Sequence, residues 1–236
     1  MSLDVDAIYK STMDHYNLAK EKLLESGLNE YRASAVSDRI PDFKADKLEF
    51  GAYEKGKFAV LFVDMRYSTL RAKKFGPKKT FLTMHVFLTA LLEVVKNYQG
   101  KVIDIMGDGL MVFWGGKVAR ENEDMIGSEA VKNASECGLA MMRIRAEVIN
   151  RIITNENLGS SINIGIGITF DSVIVTKIGI NETYDVKAFG DCINTAFKYS
   201  EHSNRIKVSK EVKELWPSSK NGKLRFIQDA DGYLVE

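Results

Sequence analysis

A chain of 236 residues, 45% hydrophobic and 28% charged, has room for one domain with an extension and the balance of an ordinary globular protein. Its formal net charge of +1 gives no global field toward nucleic acid or a membrane surface, and no apolar run reaches the roughly 18 residues of a membrane span. Cys137 and Cys192 lie far apart without metal-ligand spacing, and the N-terminus lacks a signal-peptide core, so a reducing, cytoplasmic setting is expected.

Residues 1–56 read as a polar helical arm. "DAIYKSTMDHYNLAKEKLLES" places Ile8, Met13, Tyr16, Leu23 and Leu24 on one helical side, and Pro41, Gly51 and Gly56 mark a connection. A packing or dimerisation arm is expected there, with the main domain over 57–236. "KFAVLFVDM" is a short apolar run of β-formers, so a buried strand is expected with Asp64 at its C-terminal end. The basic run "RAKKFGPKK" reads as a solvated face. "TFLTMHVFLTALLEVVKNYQG" has helical spacing at Phe81, Met84, Leu88, Leu91, Leu92 and Val95, and Gly100 stops it. "GKVIDIMGDGLMVFWGG" then signals a β-hairpin with Asp108 between two turn glycines and Asp104 in its first strand.

A long helix is expected from near Ser128 through "EAVKNASECGLAMMRIRAEVINRII". "SINIGIGITF" and "SVIVTKIG" read as two strands separated at Asp171 and Ser172. The glycines of the first lack the Gly-Lys-Ser/Thr ending of a phosphate loop, so they imply close backbone packing. A helix opens near Asp191 in "FGDCINTAFKYSEHS", and "RIKVS" and "LRFIQ" end the chain as short strands. The order β-α-β-β-α-β predicts an α+β, ferredoxin-like domain, its sheet mainly antiparallel with helices on one face. His15, His85 and His202 are scattered and carry no triad or metal spacing.

In such a fold the end of the first strand and the hairpin turn can share an edge. Asp64 and Asp108 meeting there repel unless a cation lies between them. Mg²⁺ suits that place, since one or two carboxylates together with substrate phosphates commonly hold it. Each aspartate alone has an ordinary explanation, Asp108 as a turn residue and Asp64 as a strand terminator; the pairing within this element order is what points to chemistry.

Three segments carry a resemblance to a known family. "VLFVDMRYSTL", "GKVIDIMGDGLMVF" and "FGDCINTAFK" resemble, in order and context, the metal and ribose motifs of the class III nucleotidyl cyclases, over roughly Phe58 to Ser203. The resemblance implies a homodimer with shared active sites and two divalent ions per site, Mg or Mn. It also implies a nucleoside triphosphate substrate, closed to a 3′,5′-cyclic nucleotide. Asp64 and Asp108 would hold the metals with the Met65 carbonyl, and Asn194 would orient the ribose. Lys198 stands where the family has an arginine, keeping the charge but losing the planar fork. A counterpart of the triphosphate-binding lysine of some members is missing from "RFIQDADGYLVE". Arg66 is the expected substitute, beside Ser68 and Thr69 at a helix N-terminus where phosphates bind readily.

Asp104 and Lys187 fall at the two base-reading positions of the purine cyclases, where adenylate cyclases place lysine and aspartate. The charges are reversed. A carboxylate accepts and an ammonium donates, which complements N3–H and O4 of uracil or N1–H and O6 of guanine. Tyr67, in place of a glycine, favours the smaller base. These departures resemble the pyrimidine cyclases of the Pycsar anti-phage systems, which make cyclic UMP or cyclic CMP. The expected order is UTP first, then CTP or GTP, and ATP last. An inactive cyclase-homology domain that binds nucleotide or a partner is the rival from another class. A nucleic-acid-binding ferredoxin-like domain lacks the basic stripe it would need.

Overall fold

The computed structural model describes residues 3–24, 40, 47, 49–116, 123–180, 183–216 and 224–236. Pro41 lies outside them. An N-terminal helix, α1 (Val5–Leu24), precedes strand β1 (Tyr53–Met65) and helix α2 (Ser68–Asn97). The hairpin β2 (Lys101–Met106) and β3 (Gly109–Gly116) follows. Helix α3 (Glu123–Ile144) then runs through one π-helical turn into α4 (Asn150–Asn155). The rest is β4 (Ile164–Ile180), β5 (Thr183–Phe189), α5 (Asp191–Tyr199), β6 (Ile206–Val208), α6 (Lys210–Leu215), β7 (Phe226–Asp229) and β8 (Gly232–Val235).

One sheet unites all the strands in the order β2-β3-β1-β4-β6-β8-β7, with β5 paired to the far end of β4. All pairings between these strands are antiparallel except β4 with β6. β1 sits at the centre because both its faces are apolar. Ala59, Leu61, Val63 and Met65 enter the larger core with α1, α2, α3 and α4, while Phe58, Val60 and Phe62 enter a second core on the opposite face. Burial on both sides explains why this strand reads as an unbroken apolar run.

Two expectations are corrected. The helices do not all lie on one face: Cys192 and Ala196 of α5 belong to the second core, opposite the other helices. The two strands expected around Asp171 are one strand, since β1 pairs with β4 without interruption from Tyr53↔Thr176 to Met65↔Ile164. Asp171 and Ser172 are merely exposed positions within it, where the Asp171 carboxylate accepts the Ser172 amide. The helix N-terminus expected at Ser68 and Thr69 is present, and α2 runs from Ser68 through the basic run into the apolar periodicity. Gly76 (φ 78°, ψ 173°) and Pro77 bend it where the basic run meets the apolar one.

The reading of Gly165 and Gly167 as packing glycines holds. A Cβ on Gly167 would meet the Ala196 carbonyl, and one on Gly165 the Ser200 carbonyl, so both let α5 lie directly on β4. Gly167→Ala should therefore destabilise the fold by about 3 kcal/mol, the upper range for overpacking, because a backbone carbonyl cannot swing aside. Chemical denaturation would read this as a lower midpoint with an unchanged slope. α1 packs its Ile8, Tyr16 and Ala19 into the larger core, and the buried Tyr16 hydroxyl donates to Glu156 at 2.9 Å. Cys137 and Cys192 are both buried free thiols.

Candidate active site

The strand ladder brings the two aspartates together. Asp64 is opposite Gly109 in the β1–β3 register, and the Met65 amide donates to the Asp108 carbonyl at 3.2 Å. Gly107, at φ 60°, opens the hairpin turn and sets Asp108 at the end of β1. The electrostatics record the meeting. Asp64's carboxyl is pushed up from 3.8 to about 6, first by burial and next by the charge of Asp108; Glu201 adds to this, and Arg66 opposes it.

Arg66 is the cation at hand. Its Nη1 donates to the Asp64 carboxylate at 2.6 Å and to the Ser200 carbonyl at 3.4 Å, while its backbone amide donates to the Asn163 carbonyl at 2.8 Å. The expected phosphate role of Arg66 thus starts from an ion pair with Asp64. Tyr67 caps α2 in the left-handed conformation (φ 61°, ψ 27°), exposed and without a side-chain hydrogen bond to the helix end. Ser68 and Thr69 form the first turn beside it. Helix amides at such an end point outward and suit an anion.

The donor set fits divalent cations. Among the described residues, no group of three or more His, Cys, Asp or Glu could hold a metal, so Asp64 and Asp108 offer two carboxylates. Hard cations of the magnesium type take that number and complete their shell with backbone, water and phosphate oxygens. Met65 can contribute only through its backbone, since its side chain is buried in the larger core.

The other expected site residues stand apart from this pair. Asn194 and Lys198 are exposed, one turn apart on α5, on the side away from the sheet. Asp104 is half-buried at the β2 irregularity, opposite Met111, and its carboxylate accepts the Ile105 amide at 2.8 Å. Met111 in turn lies opposite Phe62, which puts Asp104 on the α5 face of the sheet. Lys187 departs from expectation. Val186 and Ala188 turn to the second core, so Lys187 projects from the opposite side of β5, where it pairs with Asp185 at 2.8 Å. Sequence reasoning missed this partner and Glu201, because neither belongs to a motif. The C-terminal strands supply acids instead of the missing lysine: Asp229 and Asp231 pair with the buried Lys207 at 2.9 and 3.2 Å.

Residues 50–228 match the model of the adenylate and guanylate cyclase catalytic domain. The chain belongs to that family. It is 26% identical to a cytidylate cyclase of Staphylococcus aureus over 75% of its length and 41% of that protein. A cytidylate cyclase of Escherichia coli is 24% identical over 83% of the chain and 43% of its own length. The chain thus spans less than half of the curated relatives it matches. The crystal structure of the adenylyl cyclase CyaB from P. aeruginosa superposes with a TM-score of 0.65 at 18% identity, covering 78% of this chain and 94% of that one. The α+β cyclase fold follows. Among the described residues, no helix is long and apolar enough to cross a membrane.

Proposed function

We propose that this chain is a pyrimidine nucleotidyl cyclase that converts UTP to 3′,5′-cyclic UMP and pyrophosphate. The observation that carries the reading is the juxtaposition of Asp64 and Asp108 beside the N-terminus of α2, in a domain of the cyclase family. We further propose the division into an arm and a catalytic domain, with the boundary expected at 56/57 moved ahead of Tyr53, where β1 begins, a cytoplasmic setting, and a role in anti-phage signalling of the kind the sequence resemblance implies.

Two divalent ions, Mg or Mn, would activate the ribose 3′-hydroxyl and neutralise the triphosphate when bound. Asp64, Asp108 and the Met65 carbonyl would hold them. The α2 N-terminus at Ser68 and Thr69 would receive the phosphates, and Arg66, paired with Asp64 in the free protein, would be the cation available to the triphosphate. The 3′-oxygen then attacks the α-phosphorus and pyrophosphate leaves. Asn194 orients the ribose and Lys198 balances the charge that grows on the phosphate. Both face away from the chain that carries them, which is why we place them in the site of a second copy. Exposed apolar residues on the hairpin, β5 and α5 (Ile105, Met106, Phe189, Phe197) suit a contact between copies.

For the base, Asp104 accepts from uracil N3–H and Lys187 donates to O4, with Tyr67 narrowing the pocket. A second reading, CTP, is favoured by the Lys187–Asp185 pair. With Lys187 engaged, Asp104 alone would accept the amino group of cytosine, and the curated relatives are named for that product.

The test is turnover with all four ribonucleoside triphosphates in competition, Mn²⁺ or Mg²⁺ present, and products identified by mass spectrometry. Cyclic UMP as main product supports the reading; cyclic CMP selects the second one, and absence of any cyclic product selects an inactive cyclase-homology domain. Co-expressed Asp64→Ala and Asn194→Ala chains should regain about a quarter of the activity, since random pairing makes half the dimers mixed and leaves each with one intact site. Recovery no greater than that of either variant alone would place the whole site in one chain.

A further inference from the structure

The basic run "RAKKFGPKK" is not simply a solvated face. Arg71 turns inward: its Nη1 donates to the Ser160 carbonyl and its Nη2 to the Leu158 carbonyl at 3.1 Å. Its Nε is buried with no hydrogen-bond partner. Carbonyl dipoles fix the guanidinium without cancelling its charge, and burial without a counter-charge lowers its pKa. Lys74, one turn on, reaches the same aromatic ring, with Arg71 at 5.1 Å and Lys74 at 5.4 Å from the centre of Phe75.

These groups line a cavity of about 260 Å³ between the start of α2 and residues 160–163, with Arg66 and Tyr67 at its rim. Its wall holds three cationic residues and no carboxylate. Arg66 is committed to Asp64, whereas neither Arg71 nor Lys74 forms an ion pair among the described residues. The Arg66 guanidinium points to Ser200 at the end of α5, while Leu158 and Ile162 beside the cavity belong to the larger core. The cavity therefore lies on the other side of the Arg66–Tyr67 backbone from Asp64. A partly buried guanidinium fixed by carbonyls, with the exposed Lys74 ammonium beside it and no counter-ion among the described residues, forms a preorganised seat for an anion.

We propose that this cavity is a binding site for a diphosphate group, with Arg71 and Lys74 as its charged contacts. Two linked phosphates fit both its charge and its volume. They occur in free pyrophosphate and in the tail of a nucleoside triphosphate, so both sources share the chemistry. Occupancy would join the first turns of α2 to residues 158–163 and thereby fix Tyr67.

Calorimetric titration of the full chain with sodium pyrophosphate, in EDTA, tests the site without turnover, so the outcome is independent of the cyclase reading. Saturable binding is expected, about tenfold weaker in Lys74→Met, the loss of one charge-assisted contact. It should be weaker still in Arg71→Met and unchanged in Lys73→Met, a neighbouring lysine outside the cavity wall. Lys74 makes no hydrogen bond within the described residues, so its variant keeps the test independent of folding. UTP that displaces pyrophosphate where UMP does not would identify the triphosphate tail as the occupant. Simultaneous binding of UTP and pyrophosphate would identify the free anion. Pyrophosphate binding that is absent, or equally tight in Lys74→Met, would overturn the proposal.

Discussion

Asp64→Asn is expected to lower the proposed cyclisation by about 10³-fold or more, while the folded protein becomes more stable near pH 8. The two effects share one cause. Asp64 carries a charge that its surroundings oppose, because it is partly buried and faces Asp108. Arg66 returns only part of that cost. The folded pKa of about 6 lies above the ordinary 3.8, so the folded protein binds more protons than the unfolded chain between those values. Stability associated with the protonated form is fully present below about pH 4 and is lost as pH rises through 6.

Asparagine has no charge to bury, so the variant escapes the loss. A two-unit shift corresponds to about 3 kcal/mol, and water reaching the partly exposed carboxylate reduces this to roughly 1–2 kcal/mol. Denaturation of metal-free protein at pH 4 and pH 8 would check it: the variant should gain at pH 8 and match the parent at pH 4. Lost turnover with gained stability is the pattern of a functional carboxylate held against its preference. An Asp64→Asn protein that is both active and destabilised would mark Asp64 as a structural partner of Arg66 instead.

Much of this arrangement was legible in the sequence because it follows from local patterns. β1 could be read from its unbroken apolar run, and the Gly107-Asp108-Gly109 turn from its composition. Gly165 and Gly167 announced a close backbone approach, and the carbonyls of α5 supply it. What escaped depends on the third dimension. The face on which α5 lies is decided by handedness and by which side of β1 carries Phe58 and Phe62. The order of elements does not encode it. The pair Asp171-Ser172 resembles a turn, yet a strand as long as β4 tolerates exposed polar positions when β1 supplies its ladder straight through them, from Ile164 to Thr176. Arg71 sits in a run of lysines and differs from them in being clamped by two carbonyls, of residues 158 and 160, with its Nε buried.

Lys187→Ala is expected to lower the preference for UTP over CTP by about 10²-fold, because a buried base edge left without its donor is discriminated strongly. Two features of the structure bear on this. Lys187 is paired with Asp185 and projects from the side of β5 opposite the second core. Both side chains of that pair are about half exposed, and such pairs contribute roughly 0–1 kcal/mol, so releasing the lysine costs little against one good contact to O4. Among the described residues β5 pairs only with β4, so we expect the four-carbon stem of Lys187 to swing round its other edge toward the α5 face. Asp185→Ala provides the complementary measurement, since it frees Lys187 and should leave uridine selectivity intact or raise it. If Lys187→Ala instead shifts the product ratio by less than about threefold, the lysine does not read the base. Asp104 then acts alone, accepting an amino group, and the substrate is CTP.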